Sequence, residues 1–437
     1  MASTLHPDHP LYEVRPVRGE EIPWMLKRNI WTGVLGSLSV TFLTNGVFFT
    51  AFCQQMGMRH YQFGILATLV SLTLPLSLFS AAIEEWFGQR KYPWFVLCMA
   101  SRFLLAPLLL GYFVRFNPWI IVALVVGMMS ISRLISPLWL SWTWDYIPSD
   151  SFGRFTAKRN FWITFWRAGV ALGGAFLVHI MPAEHKLQVI SVIFTGLLIL
   201  GIIDLIYHVR IPEPPRETPS SRSLAKFLTA LRNKPFRNLL FATGVWYFAL
   251  FVGSPFCVPY MMEELGFESN FILATLLVYA VPAAGTLLTL PVWGKISDRA
   301  RPGILMAICC LFWAFIPLFY YYAGPGNALT SLVGAWIIAG IFPAGYAVLQ
   351  PLLTRRLSGP DKTMPSALLL MVASLGGVAG STVGTFIVRT HPVNDAFMVS
   401  FVARLAGAFV VALLLVYAPL MKRLHSNTST LRFPDAG

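Results

Sequence analysis

The sequence predicts an all-helical integral membrane protein, with twelve transmembrane helices arranged as two related six-helix bundles. Three observations predict it. Of 437 residues, 56% are hydrophobic and only 12% are charged, with a mean hydropathy of +0.65, too apolar for a water-soluble globule. The apolar residues gather into about twelve runs, each near the roughly 20 residues that a helix needs to cross the hydrocarbon. The basic residues fall on one side of those runs. Of the 33 Lys and Arg, 25 lie in both tails and in alternate connections, and because such residues stay in the cytoplasm, both termini are expected inside.

In chain order the runs are 31–52, 62–82, 94–114, 118–140, 161–181 and 187–208, then 239–261, 271–292, 304–323, 329–353, 365–388 and 397–420. The organisation this implies is a cytoplasmic tail 1–28, a first bundle 29–208, a cytoplasmic linker 209–237, a second bundle 238–421 and a tail 422–437. Glu13, Glu20 and Glu21 alternate with Arg15 and Arg18 in the first tail, and no short apolar segment with a small-residue cleavage site follows, so it reads as a retained tail. The linker is rich in Pro, Ser and basic residues, and its amphipathic stretch 224–231 suits the inner membrane surface. The net charge of +14 follows from this asymmetry and favours anionic inner-leaflet lipid. A nucleic-acid partner is not expected, since no dense basic tract carries interleaved aromatics. Cys53, Cys98, Cys257, Cys309 and Cys310 lie within or at the ends of apolar runs without metal-type spacing, so they read as core residues; neither metal nor cofactor is implied.

Between the eighth and ninth runs stands Gly294-Lys295-Ile296-Ser297-Asp298-Arg299-Ala300-Arg301-Pro302, read as a short charged loop in which a Gly four residues before an Asp-Arg pair lets helix ends approach. A weaker copy, Ala81-Ala82-Ile83-Glu84-Glu85-Trp86-Phe87-Gly88-Gln89-Arg90-Lys91, follows the second run. Two such hairpins, one per half, resemble the loop signature of the major facilitator superfamily, and the likeness extends from Trp31 to Leu420. The first copy departs from the signature, with Ala81 for Gly, Glu85 for Asp and Trp86 for Arg. A third partial match runs from Asp145 through Pro148 to Gly153 and Arg154. The resemblance implies gating by Glu85, Gly88, Arg90, Asp145, Arg154, Gly294, Asp298 and Arg299. A solvated turn with weak salt bridges is the other reading for Asp145.

Polar groups at membrane depth either bond a neighbouring helix or line a watery cavity. Asn45 is open to both readings. Arg133 and Arg167 lie within spans, where a charge costs at least roughly 2.5–3.5 kcal/mol. Both therefore face protein or a cavity, although Arg167, beside Trp162 and Trp166, also fits an inward-snorkelling interfacial role. Arg102 reads as structural, and Arg404 has no evident partner. Trp246, Tyr247, Tyr279, Tyr346 and Gln350 stand in proline-interrupted, aromatic-rich helices of the kind that bind solute in transporters. Glycines spaced by four, Gly169 and Gly173, then Gly376, Gly380 and Gly384, mark close or sliding helix faces. Asp204, the sole acid within a run, lies near an inner end and reads as pairing locally. With no carboxylate near the midplane, the usual argument for proton coupling has no support in the sequence.

The function this implies is secondary active or facilitative transport of a small anionic or sugar-like solute by alternating access. The carrier is expected to be a monomer in the lipid bilayer of the inner or plasma membrane. The alternatives are an efflux carrier for amphipathic compounds, or a sensor or lipid scramblase with the same fold. A membrane-embedded transferase is disfavoured and no enzyme is expected, because Glu20-Glu21, Glu84-Glu85 and Glu263-Glu264 have no His at ligand spacing.

Overall fold

In hydrocarbon no water is present to bond exposed amides, so a long apolar run must pair its own backbone as a helix. The computed structural model describes residues 14–147, 152–215, 231–357 and 363–417. In the first half its helices are α1 Ile22–Thr44, α2 Gly46–Gln55, α3 His60–Leu72, α4 Ser80–Phe87, α5 Lys91–Leu105, α6 Pro118–Tyr146, α7 Phe152–Ile180 and α8 Lys186–Val209. The second half holds α9 Lys234–Gly253, α10 Cys257–Glu263, α11 Phe271–Thr275, α12 Val281–Arg299, α13 Pro302–Trp313, α14 Ile316–Tyr322, α15 Ala328–Leu357, α16 Thr363–Thr390 and α17 Val393–Ala412.

Among the described residues, eleven helical stretches are long and apolar enough to cross a membrane. The remaining expected span, 62–82, is helical but divided into α3, a 3-10 segment Leu74–Phe79 and α4. Pro75 sits at the start of the middle piece, where its missing N–H interrupts the hydrogen-bond ladder. The stretch Gly294–Pro302, expected as a loop, is helical through Arg299, because nothing breaks the ladder before Pro302 opens α13. The linker stretch 224–230 lies outside the described residues.

The chain divides into two compact units, the first comprising 1–221, 255–287 and 324–328, the second 222–254, 288–323 and 329–437. In unit one, α8 packs along α1, and α5 along α6. One buried core of this unit gathers Trp94, Trp142, Tyr146 and Phe155 with Met25 and Ile30.

In unit two, α9 packs against α16 and α17. The glycine stripe makes this possible: a Cβ at Gly376 or Gly380 would run into the backbone carbonyls of Gly244 and Phe248 on α9. The stripe on α7 is not used that way, since a Cβ at Gly169 or Gly173 would meet open space. Arg404 of α17, 1% exposed, finds its partners on two neighbouring segments. Its guanidinium donates to Trp313 O at 3.4 Å, to Leu250 O at 3.1 Å and to Ser254 Oγ at 2.9 Å. The Trp313 carbonyl lies at the end of α13, and the Leu250 carbonyl, near the end of α9, also accepts from the N–H and the hydroxyl of Ser254.

Gly380→Ala is therefore expected to destabilise the purified protein by roughly 1–3 kcal/mol through overpacking, read as a lower melting temperature. Gly169→Ala, with room for the methyl group, should leave that temperature unchanged or raise it slightly.

Candidate functional site

The first long helix is interrupted at mid-course by Asn45, whose backbone is extended (φ −158°, ψ 165°). Its Oδ1 accepts from Gly46 N at 2.7 Å, taking up an amide that the break frees. Gly46 has φ +82°, a conformation natural to glycine, and its lack of a side chain matters twice. A Cβ there would collide with the hydroxyl of Tyr279. Tyr279 itself stands in a π-helical turn, Leu276–Ala280, between α11 and α12, and such turns recur at functional sites. The Phe42 ring packs against it, tilted by 45° at a centroid distance of 5.2 Å. Arg167, from α7, lies close enough to act electrostatically on the Tyr279 phenol, and α7 packs on both α11 and the π-turn. Two irregular turns, an exposed amide, a phenol and a half-buried guanidinium thus meet in unit one. Arg133 does not join them. It is half-buried on α6 with its Nε unbonded.

Unit two holds the other aromatic residues. Trp246, Trp313 and Tyr346 form a cluster with centroid separations of 5.5 Å (Trp246–Trp313) and 5.7 Å (Trp313–Tyr346), and Tyr247 lies 6.5 Å from Tyr346. Gln350 Nε2 donates to the Tyr346 hydroxyl at 3.3 Å and also bonds Tyr247. Trp246 and Tyr346 are part of the buried core, which leaves the half-buried Tyr247 and Gln350 as the accessible edge. Their burial makes Trp246 and Tyr346 a supporting wall in this structure and not a contact surface. A cavity of about 520 Å³ opens in unit one at the ends of α2, α3 and α10, lined by Arg59, His60, Lys186, Glu263 and Glu268 among others. There His60 Nε2 lies 3.5 Å from Glu263.

The residues expected to gate are dispersed. Gly88 ends α4 in the left-handed region, φ +66°, and its N–H closes on Glu84 O at 2.9 Å. Arg90 follows, 3% exposed, and its guanidinium bonds Asp145 as well as Glu213, the latter through Nε at 3.0 Å. Burial works against the Arg90 charge, yet the bonds to Asp145 and Glu213 hold its pKa above the ordinary arginine value. Glu213 also accepts from the backbone N–H groups of Arg90 and Lys91, each at 3.0 Å, at the start of α5, where a negative charge complements the helix dipole. Prolines on both sides keep Glu213 extended, and Val14 pairs with it as an isolated parallel bridge. Gly294 lies inside α12 with open space around it, so no close approach is made there. The side chains of Glu85, Arg154, Asp298 and Arg299 lie outside the described residues.

The family model of the Major Facilitator Superfamily matches residues 30–326 and 239–433. The chain belongs to the major facilitator superfamily. It is a transmembrane solute transporter embedded in lipid. No curated protein sequence matches it. Among solved structures it is similar to a D323A mutant of the nucleoside transporter NupG, at 12% identity over 90% of this chain and 99% of that one, with a TM-score of 0.65. A bacterial homologue of the human lysosomal transporter Spinster, inward-facing and unoccupied, gives 17% identity over 96% and 100%, with a TM-score of 0.61. The D-xylose-proton symporter gives 16% identity over 89% and 97%, with a TM-score of 0.62. At these identities the likeness shows the fold.

Within this superfamily member, three residues of the described sites were not marked by sequence reasoning: Gly46, Trp313 and Glu213. Glu213 left a legible signal in its flanking prolines. Gly46 and Trp313 left none, because only contacts across the fold distinguish them from other glycines and tryptophans.

Glu213→Ala removes the buried partner of Arg90, both side chains being 4% exposed, and is expected to cost about 3–5 kcal/mol, measured by thermal unfolding of the purified protein. Asp145→Ala, at a side chain 41% exposed, should cost less than about 1 kcal/mol.

Proposed function

We propose that this transporter carries a small hydroxyl-rich or anionic solute by alternating access, as a monomer in the inner or plasma membrane with both termini in the cytoplasm. The observation that carries this reading is the meeting of the two irregular turns at Gly46 and Tyr279 beside Arg167. Discontinuous helices expose backbone groups at membrane depth only where they line a cavity. A guanidinium and a phenol add donors suited to sugar hydroxyls or a carboxylate. The accessible pair Tyr247 and Gln350 adds an aromatic face with an amide beside it. Two of the similar structures are named for their solutes, a nucleoside and D-xylose, and both solutes carry hydroxyl-bearing rings. Asp298 and Arg299, at the end of α12, are proposed as the gate that holds the cytoplasmic side closed.

A thermal-shift panel of nucleosides, pentoses and small organic anions tests the reading, since a specific ligand stabilises the folded protein in proportion to its occupancy. Arg167→Ala should weaken the stabilising member of the panel about tenfold in Kd, or about 1.4 kcal/mol. An unchanged affinity would remove Arg167 from the site. Asp298→Ala should slow uptake into proteoliposomes while leaving that affinity intact, and unchanged uptake would remove its gating role.

A further inference from the structure

Helix α8 carries two buried titratable side chains one turn apart, Asp204 at 6% exposure and His208 at 3%. A spacing of four places both on one face of the helix. Their surroundings are opposite in kind.

His208 is saturated. Its Nε2 accepts from Trp139 Nε1 at 3.2 Å, and an indole N–H can only donate. The proton of the neutral ring therefore sits on Nδ1, 2.9 Å from Thr32 Oγ1. The rings of Trp94 and Trp142 pack on it at 4.7 and 5.1 Å. Arg159, Lys91 and Arg28 are the charges that face it. With both nitrogens engaged, His208 has no place for a second proton without loss of a hydrogen bond.

Asp204 has no such partners. Among the described residues its carboxylate receives no hydrogen bond and has no cation at ion-pair distance. It fits against α1 only because residue 36 is glycine, where a Cβ would strike its Oδ2. The charged groups that face it are Arg102 of α5 and Arg159 of α7, and the Cys98 thiol of α5 is the other titratable neighbour. Both arginines use glycine notches: the Arg102 Nε lies 2.9 Å from where a Cβ of Gly201 would stand, and the Arg159 guanidinium 2.6 Å from that of Gly33. Both Nε atoms are buried and unbonded. Arg159 also sits over the Trp139 ring at 4.9 Å.

We propose that Asp204 is a proton-binding site. The chemistry selects the ligand. Two guanidiniums repel a metal cation, and one carboxylate supplies far fewer oxygens than Ca²⁺ or Mg²⁺ requires, whereas a proton needs one oxygen. Binding converts the carboxylate to a carboxylic acid and takes the local charge of Asp204, Arg102 and Arg159 from +1 to +2. Burial without donors opposes the anion, and the two guanidiniums favour it. The occupancy of the site is thus set by how closely those guanidiniums approach. This corrects the sequence expectation that Asp204 only pairs locally, and it holds for whichever solute the protein carries.

Infrared difference spectra of the purified protein in lipid nanodiscs, recorded between acid and mildly alkaline pH, read the proton directly. A buried carboxylic C=O band that titrates in the wild type, vanishes in Asp204→Asn and shifts in frequency in Asp204→Glu is the expected result. A titrating band set unchanged in Asp204→Asn would overturn the proposal. Arg102→Gln gives an independent reading that keeps the carboxyl: loss of one facing cation should move the midpoint of the band upward by about one pH unit, a tenfold gain in proton affinity. An unmoved midpoint there would equally overturn it.

Discussion

Where no water is at hand, a helix can be interrupted only if something else takes up the backbone groups set free. Much of the described architecture follows from where that exception is made. Asn45 makes it with its own side chain, bonding the next amide, and so allows the first span to turn at mid-course. The same turn needs a glycine after it, and that glycine admits the Tyr279 hydroxyl from the π-turn of another span. The candidate site is thus a consequence of two permitted breaks meeting, with Arg167 as the charged group beside them.

Buried charge is handled in three ways in this protein. Arg404 bonds the carbonyls of Trp313 and Leu250 and the Ser254 hydroxyl, so its charge is spread over dipoles. Arg90 is held by Glu213 and Asp145, with the Glu213 carboxylate also accepting two amides at the start of α5. Around Asp204 neither solution is applied: a carboxylate and two guanidiniums face one another without close bonds. An arrangement satisfied at every atom resists change, whereas an incompletely satisfied one can respond to a proton or to movement. That difference separates the structural arginines from the cluster on α8.

Much of the fold was legible in the chain because the bilayer imposes a length and a composition on each span, and both are local properties. The family was legible in the paired hairpins after the second and eighth spans. The details of those hairpins were less so: Gly294–Pro302 reads as a loop by its charge, yet the ladder continues through Arg299, since Lys, Ser, Asp and Arg are all tolerated at a helix end. The paired glycine stripes at spacing four are alike in sequence but differ in use. Only the stripe on α16 meets another backbone.

What the sequence by itself determined is the medium, the order of the apolar spans and the family, because hydropathy and short motifs act within a few turns of helix. What only the tertiary structure decided is which polar residues matter. Asn45 and Arg167 are 122 positions apart, Arg167 and Tyr279 are 112 apart, and the three come from separate spans, while Asp204 and His208, one turn apart, are set apart by what α1, α5, α6 and α7 place around them. Function at membrane depth depends on whether a polar group is satisfied, and satisfaction is a property of neighbours brought together by packing.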